Sequence, residues 1–154
     1  MQLDFSIDDA AVRAAFSRLQ QLGLDSRPVM REAAAALADS TEQAFANERD
    51  PETGESWVPL SEKYKKWRDK KGYTGKILQM KGMLSMSITT GYSAKQGWIG
   101  SPLVYAPIHQ LGGLPDMPPG PAAVPARSYL GLDKTGREEI MDSVRLAVSN
   151  SFVI

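Results

Sequence analysis

Trp98-Ile99-Gly100-Ser101-Pro102-Leu103-Val104-Tyr105-Ala106-Pro107-Ile108-His109-Gln110-Leu111-Gly112-Gly113 runs into a proline- and glycine-rich span, then into Pro125-Ala126-Arg127-Ser128-Tyr129-Leu130-Gly131-Leu132. This stretch holds the chain's only histidine and, before Pro125 is counted, six of the chain's ten prolines. It reads as a short strand, a tight helical turn over Tyr105–Leu111, a long loop and a second short strand. The Gly112-Gly113 pair closes the turn, because the chain must then bend sharply with φ above zero. Leu114–Val124 is too long for a mere connector in a compact domain. It reads as a projecting loop whose eleven residues reach on the order of 35 Å if extended. That reach would lay Leu114, Pro115, Met117 and Pro118 over a neighbouring subunit, with prolines limiting the entropy lost on ordering.

Working outward, Leu84, Met86, Ile88, Thr90 and Tyr92 alternate with small polar residues, the period of a half-buried strand. Gly91–Gly97 then has hairpin length, and Trp98–Ser101 returns beside the first strand. Towards the N-terminus, Leu3, Phe5 and Ile7 alternate as a short strand or arm. Asp8 or Asp9 can cap a helix over Ala10–Leu22 that Gly23 stops, with Val12, Phe16, Leu19 and Leu22 on one face. Pro28 suits the first turn of a helix to about Asn47. Its stripe is Val29, Ala33, Leu37, Ala44 and Phe45, and its small alanines would let another element approach closely. Ser61 can cap Glu62–Lys71, ended by Gly72. Asp133 can cap a final helix over Lys134–Asn150 with Ile140, Val144 and Ala147 inward. The expected fold is α+β: a small antiparallel sheet with a hairpin at 84–101, packed against the two longer helices, with a long projecting Pro/Gly-rich loop. A length of 154 residues suits one domain, 1–154, with a helical N-terminal part at 1–55 and the remainder at 56–154.

Composition narrows the function. With no cysteine, disulfides and thiolate chemistry are excluded, and one histidine leaves no zinc site of ordinary composition. Eighteen acids balance eighteen bases, which argues against a general polyanion binder. The charge is segregated, however. Residues 1–55 carry eleven acids and five bases, a net of −6, whereas 62–76 carry seven bases and two acids, a net of +5. Opposite-sign regions on one chain suit packing against copies of itself. No apolar run approaches the ~20 residues that span a bilayer. The first residues lack a secretory pattern, so a cytoplasmic protein is expected.

Two candidate sites stand out as chemistry. His109 could serve as a base to Ser101 or Ser128, oriented by Asp116, in a small hydrolase. No nucleophile-elbow spacing supports this, and a histidine bonded to backbone near a helix end is the simpler reading. The lysine-rich helix with Lys65, Lys66 and Lys70, beside Trp57, Tyr64, Trp67 and Tyr73, could bind nucleic acid by stacking and phosphate contacts. The plainer alternative makes the aromatics core and the lysines solvated. Arg127, in an otherwise uncharged region, is suited to a two-pronged bond with a carboxylate, across an interface or within the chain.

In order and spacing the motifs resemble the phage virion morphogenesis family, the tail completion or head–tail joining proteins of Mu-like and related tailed phages. They are Trp57-x-Pro59-Leu60 with Tyr64 and the lysine-rich helix; Ile77-Leu78-Gln79 leading to Gly82-x-Leu84-x-x-Ser87-Ile88; Ile99-Gly100-Ser101 with Tyr105-Ala106-x-Ile108-His109-Gln110-x-Gly112-Gly113; and Pro125-Ala126-Arg127-x-Tyr129-Leu130-Gly131 before a closing helix. The match covers about residues 57–145, and Met80-Lys81 departs from it where a small threonine-like residue is expected. The resemblance implies a small α+β structural subunit with no catalysis and no cofactor or metal. Tyr105, His109, Gln110, Gly112, Gly113, Tyr129 and Gly131 would then be structural. The expected partners are copies of itself in a homo-oligomeric ring, taken as a hexamer, and other phage neck or tail proteins, with DNA passing through the ring and no membrane. The expected location is the virion, and the host cytoplasm during assembly. The rival reading is a nucleic-acid-binding adaptor using Lys63–Lys76.

Overall fold

The computed structural model describes residues 9–113 and 124–152. The helices are α1 (Ala10–Gln21), α2 (Arg27–Asn47), α3 (Glu62–Lys70), α4 (Met83–Met86), α5 (Ala106–Leu111) and α6 (Lys134–Ser151), and the strands are β1 (Thr89–Tyr92) and β2 (Gly97–Gly100). The strand expected around Leu3–Ile7 and the loop at Leu114–Val124 fall, Val124 apart, outside the described residues.

Local chemistry sets the helix ends. The Asp9 carboxylate accepts from the Ala11 and Val12 amides at 3.0 and 3.1 Å, which starts α1. Leu22 and Gly23 stop it, the glycine with φ +65°. Leu22 is exposed and leaves the inner face to Ala15 and Leu19. Pro28 sits in the first turn of α2 as expected. This helix ends without a glycine: Glu48 takes the left-handed conformation, and its carboxylate accepts from the Ile77 amide at 2.8 Å. Asp133 caps α6 by accepting from Gly136 N at 2.7 Å.

β1 and β2 form an antiparallel hairpin with Thr89 opposite Gly100 and Tyr92 opposite Gly97. The sheet meets the helical layer chiefly through α2, while α6 packs on α2 and α1. Gly97 allows the close approach that the alanines of α2 suggest. A Cβ there would lie 3.2 Å from Met30 O and 3.3 Å from Ala34 N.

Two expectations fail. The strand does not begin at Leu84, because Met83–Met86 is a helical turn. Gly82 enters it with φ +70°, and the Ser85 and Ser87 hydroxyls donate to Gly82 O and Leu84 O, bonds that favour a turn over a sheet ladder. Leu84 is buried and Met86 exposed, so the apparent period of two is a coincidence of composition. Pro125–Leu132 is likewise no strand; it runs irregularly, and its Tyr129 and Leu130 amides bond to a side chain.

The core is centred on Phe45, which meets Trp57 edge-on at 5.9 Å and Tyr129 at 5.3 Å. Leu84, Ile99, Leu130, Leu132 and Ile140 complete it. Ala15, Leu19, Val29 and Val144 seal a smaller cluster between α1, α2 and α6.

Candidate functional site

The motifs around α5 converge on one internal clamp. Gly112 turns the chain with φ +81°. Gly113 N then donates to Val124 O at 2.8 Å, and Arg127 N to His109 O at 2.8 Å. Gly113 and Val124 are thereby joined to each other, and Arg127 to α5; Leu114, Pro115, Met117 and Pro118 lie outside the described residues. Gln110 is buried, and its Oε1 accepts from both the Tyr129 and Leu130 amides while its Nε2 donates to Leu130 O at 3.2 Å. Tyr129 is fully buried and donates its hydroxyl to Ala106 O at 2.8 Å. Burial pushes its phenol up to about 12. Gly131 is pressed against Pro51 and Glu52, where a Cβ would lie 2.9 and 2.8 Å from their side chains.

Arg127 is a tie within the chain. It is 7% exposed; its Nε donates to Val58 O at 2.8 Å and its Nη2 to Pro59 O at 3.2 Å. The carboxylate partner expected for it is replaced by two backbone carbonyls, because the Trp57-x-Pro59 turn presents them to the guanidinium fork. Burial lowers the pKa of Arg127, and the neighbouring Tyr64 opposes that shift. His109 stacks edge-on against Tyr105 at 6.1 Å. The backbone partner expected for its ring is missing at Nδ1, which is buried and unbonded among the described residues. Burial first, and the Arg127 charge second, hold His109 below the usual 6.5.

The hydrolase constellation is not brought together. Ser101 Oγ is bonded to Ser87 Oγ at 2.7 Å, and Ser128 Oγ donates to Gln110 O at 3.4 Å. Neither bonds His109 among the described residues, and Asp116 lies outside them.

Around α3 the aromatics divide. Trp57 is core and donates its Nε1–H to Ser128 O at 2.8 Å. Tyr64 and Trp67, expected inside, are 43% and 45% exposed and stack on each other at 5.6 Å and 16°. The buried residue of α3 is Arg68 instead. Its Nη2 donates to Gly75 O and Lys76 O, folding the 72–76 turn back under the helix. A signal for it was present: it is the one arginine in a lysine run, and arginine is the cation better suited to burial with several acceptors. Lys76 is also committed, donating to Ala46 O. Lys65, Lys66 and Lys70 are exposed beside the aromatic pair.

Between α3 and the α4–α5 region lies a cleft of about 260 Å³. Arg68, Arg127, His109 and Lys81 line it, together with Tyr64, Leu78, Met80 and Met83. Among the described residues no three His, Cys, Asp or Glu side chains gather as metal ligands, and no helix is long and apolar enough to cross a membrane.

Comparison with known proteins gives one consistent result. The model of the phage virion morphogenesis family matches residues 7–149. The chain is 46% identical over 150 residues to the "Putative capsid assembly protein G" of Escherichia phage Mu, covering 97% of this chain and 96% of that protein. It is 37% identical over 142 residues to the "Mu-like prophage FluMu G protein 1" of Haemophilus influenzae, covering 91% and 90%. No solved structure matches it.

Proposed function

The chain belongs to the phage virion morphogenesis family, and from that premise we propose that it is a structural subunit whose copies close into a ring at the tail end or the head–tail junction. A structural role in phage assembly is what the family and the capsid assembly relative support. The ring, its six copies, the passage of DNA through it and its place in the neck or tail belong to the proposal.

The observation that carries it is the surface of α3. An exposed Tyr64–Trp67 stack lies among Lys65, Lys66 and Lys70, on a chain whose first 55 residues are strongly acidic. Aromatic residues held in the open are characteristic of protein interfaces rather than of bare surface. Opposite charge on two regions of one chain supports a head-to-tail contact, the type that closes into a ring by rotation. The buried polar groups meanwhile serve the fold: Gln110, Arg127 and Trp57 all bond to backbone.

Mass measurement of the purified protein with particle imaging tests this. A ring, alone or with its neck or tail neighbours, supports the reading. A chain that stays monomeric with those neighbours, together with joined and infectious virions lacking it, refutes it.

The same α3 surface favours one second reading, a nucleic-acid-binding adaptor, because bases stack on exposed rings beside lysines. Arg68 and Lys76 are spent internally, which weakens it. Salt-dependent retention of DNA, lost on reversing Lys65, Lys66 and Lys70, would favour it.

A further inference from the structure

The cleft between α3 and the α4–α5 region contains two buried cations without a counter-ion among the described residues. Arg68 is 3% exposed and Arg127 7%. Buried charges are ordinarily paired, since desolvation is costly. Among the described residues neither guanidinium has a carboxylate within 4.0 Å; the ion pairs seen lie elsewhere, at Arg31–Glu32, Arg137–Asp9 and Arg145–Asp142. Backbone carbonyls orient both forks but neutralise neither. Two polar atoms lack a partner among the described residues: Arg68 Nε, a donor, and His109 Nδ1 are both buried and unbonded. Lys81 stands at the same cleft, its ammonium 5.9 Å from the centre of the Tyr73 ring. The remaining walls, Leu78, Met80 and Met83, are apolar.

We infer that this cleft is a socket for a carboxylate on a short apolar stem, and that its occupant is an acidic side chain of a second copy of the chain. The partner assignment rests on the assembly reading above. A volume of about 260 Å³ admits a glutamate or aspartate side chain, whereas a DNA duplex is too wide to enter. The chain itself supplies the acid. In its N-terminal part, Asp9, Asp25, Glu48 and Asp50 already accept hydrogen bonds, Glu32 lies 3.7 Å from Arg31, and Glu52 and Glu55 sit on the 50–56 turn rather than on a helix. Asp39 and Glu42 stand exposed, one turn apart on α2, a rigid helix. They are the acids we assign to the socket of the next subunit.

Two measurements test this. The Nε–H of Arg68 can be followed by nitrogen-15 NMR while sodium acetate is added to the whole protein against sodium chloride at equal ionic strength. Acetate should shift that signal and chloride should not. An unmoved signal, or one moved by inorganic phosphate and not by acetate, overturns the carboxylate socket. Separately, self-association is compared for wild type, Lys81→Glu, the pair Asp39→Lys with Glu42→Lys, and the combination of all three. All these positions are exposed, and unchanged denaturation midpoints confirm that the variants fold. Each reversal should weaken association about tenfold, and the combination should recover most of the loss. A shift with acetate but unchanged association in every variant overturns the second-copy assignment and leaves the ring standing on other contacts. A wild type that never self-associates, alone or with its neck and tail neighbours, overturns both the ring and that assignment, while the acetate arm still decides the socket.

Discussion

Gln110 stands in for a missing β-strand beside Tyr129. Its Oε1 lies 2.9 Å from the Tyr129 amide and 3.0 Å from the Leu130 amide, and its Nε2 returns a bond to Leu130 O. One side chain thus satisfies an extended segment that no neighbouring strand reaches, as buried backbone requires. Replacing it with methionine keeps volume and removes all three bonds. Gln110→Met should cost about 3 kcal/mol, because two buried N–H groups lose their acceptor. The thermal midpoint should fall by roughly 6–12 °C for a chain of this size. Chemical denaturation of the variant checks it, and a loss under 1 kcal/mol would mean that water reaches those amides.

Gly23 and Gly112 share a positive φ, +65° and +81°, but differ in surroundings. A Cβ at Gly23 meets nothing within 4 Å, whereas one at Gly112 would lie 3.0 Å from Ala126 N and 3.2 Å from Val124 O. Gly23→Ala should therefore cost only the left-handed backbone penalty, about 1 kcal/mol. Gly112→Ala should cost about 2–3 kcal/mol, because the returning chain must also move. Equal losses in urea melts would show that the segment from Val124 yields freely.

What could be read in the chain divides along physical lines. Helices α1, α2, α3 and α6 were legible because caps, prolines and apolar spacing are local signals, and Asp9, Pro28, Ser61 and Asp133 act where they stand. The hairpin was legible in its turn but not in its length. Leu84-Ser85-Met86-Ser87 alternates like a strand, yet the Ser85 and Ser87 hydroxyls bond locally and hold a helical turn. Tertiary choices were hidden. Nothing in the spacing of α3 says that Arg68 goes inside while Trp67 stays out, since that depends on the 72–76 turn offering carbonyls. The Gln110 clamp is equally long-range, nineteen residues from its target.

Asp9 has two roles that separate with pH. It caps α1, and its other oxygen bonds Arg137 of α6. Its pKa is lowered from 3.8 mainly by the Val12 amide, with Arg137 contributing and burial opposing. A carboxyl depressed on folding adds stability above its unfolded value and loses it as pH falls through the lower folded one. Asp9→Asn keeps a good cap but loses the charge. It should cost about 0.5–1 kcal/mol at pH 7, a modest loss for a partly exposed pair. The gap to wild type should close below pH 3.8. Denaturation at a series of pH values reads both limbs.

His109 gives the cleanest titration, being the chain's only histidine. Its ring is buried with Nδ1 unbonded, and burial followed by the Arg127 charge lowers its pKa below 6.5. The unfolded chain therefore binds this proton more readily than the folded one, so stability rises with pH between the lower folded value and 6.5. Above 6.5 the ring is neutral in both states and the slope vanishes; below the folded value it vanishes again, with the full loss incurred. His109→Phe should remove that slope while leaving stability at pH 8 within about 1.5 kcal/mol, since the site is apolar on the Tyr105 side and the change roughly conserves shape. Proton NMR of the single imidazole, run beside pH-dependent unfolding, reads the folded pKa directly. An imidazole titrating at or above 6.5 would mean that the protonated ring donates its Nδ1–H to an acceptor in solution, and the rise of stability with pH would then be absent in wild type as well.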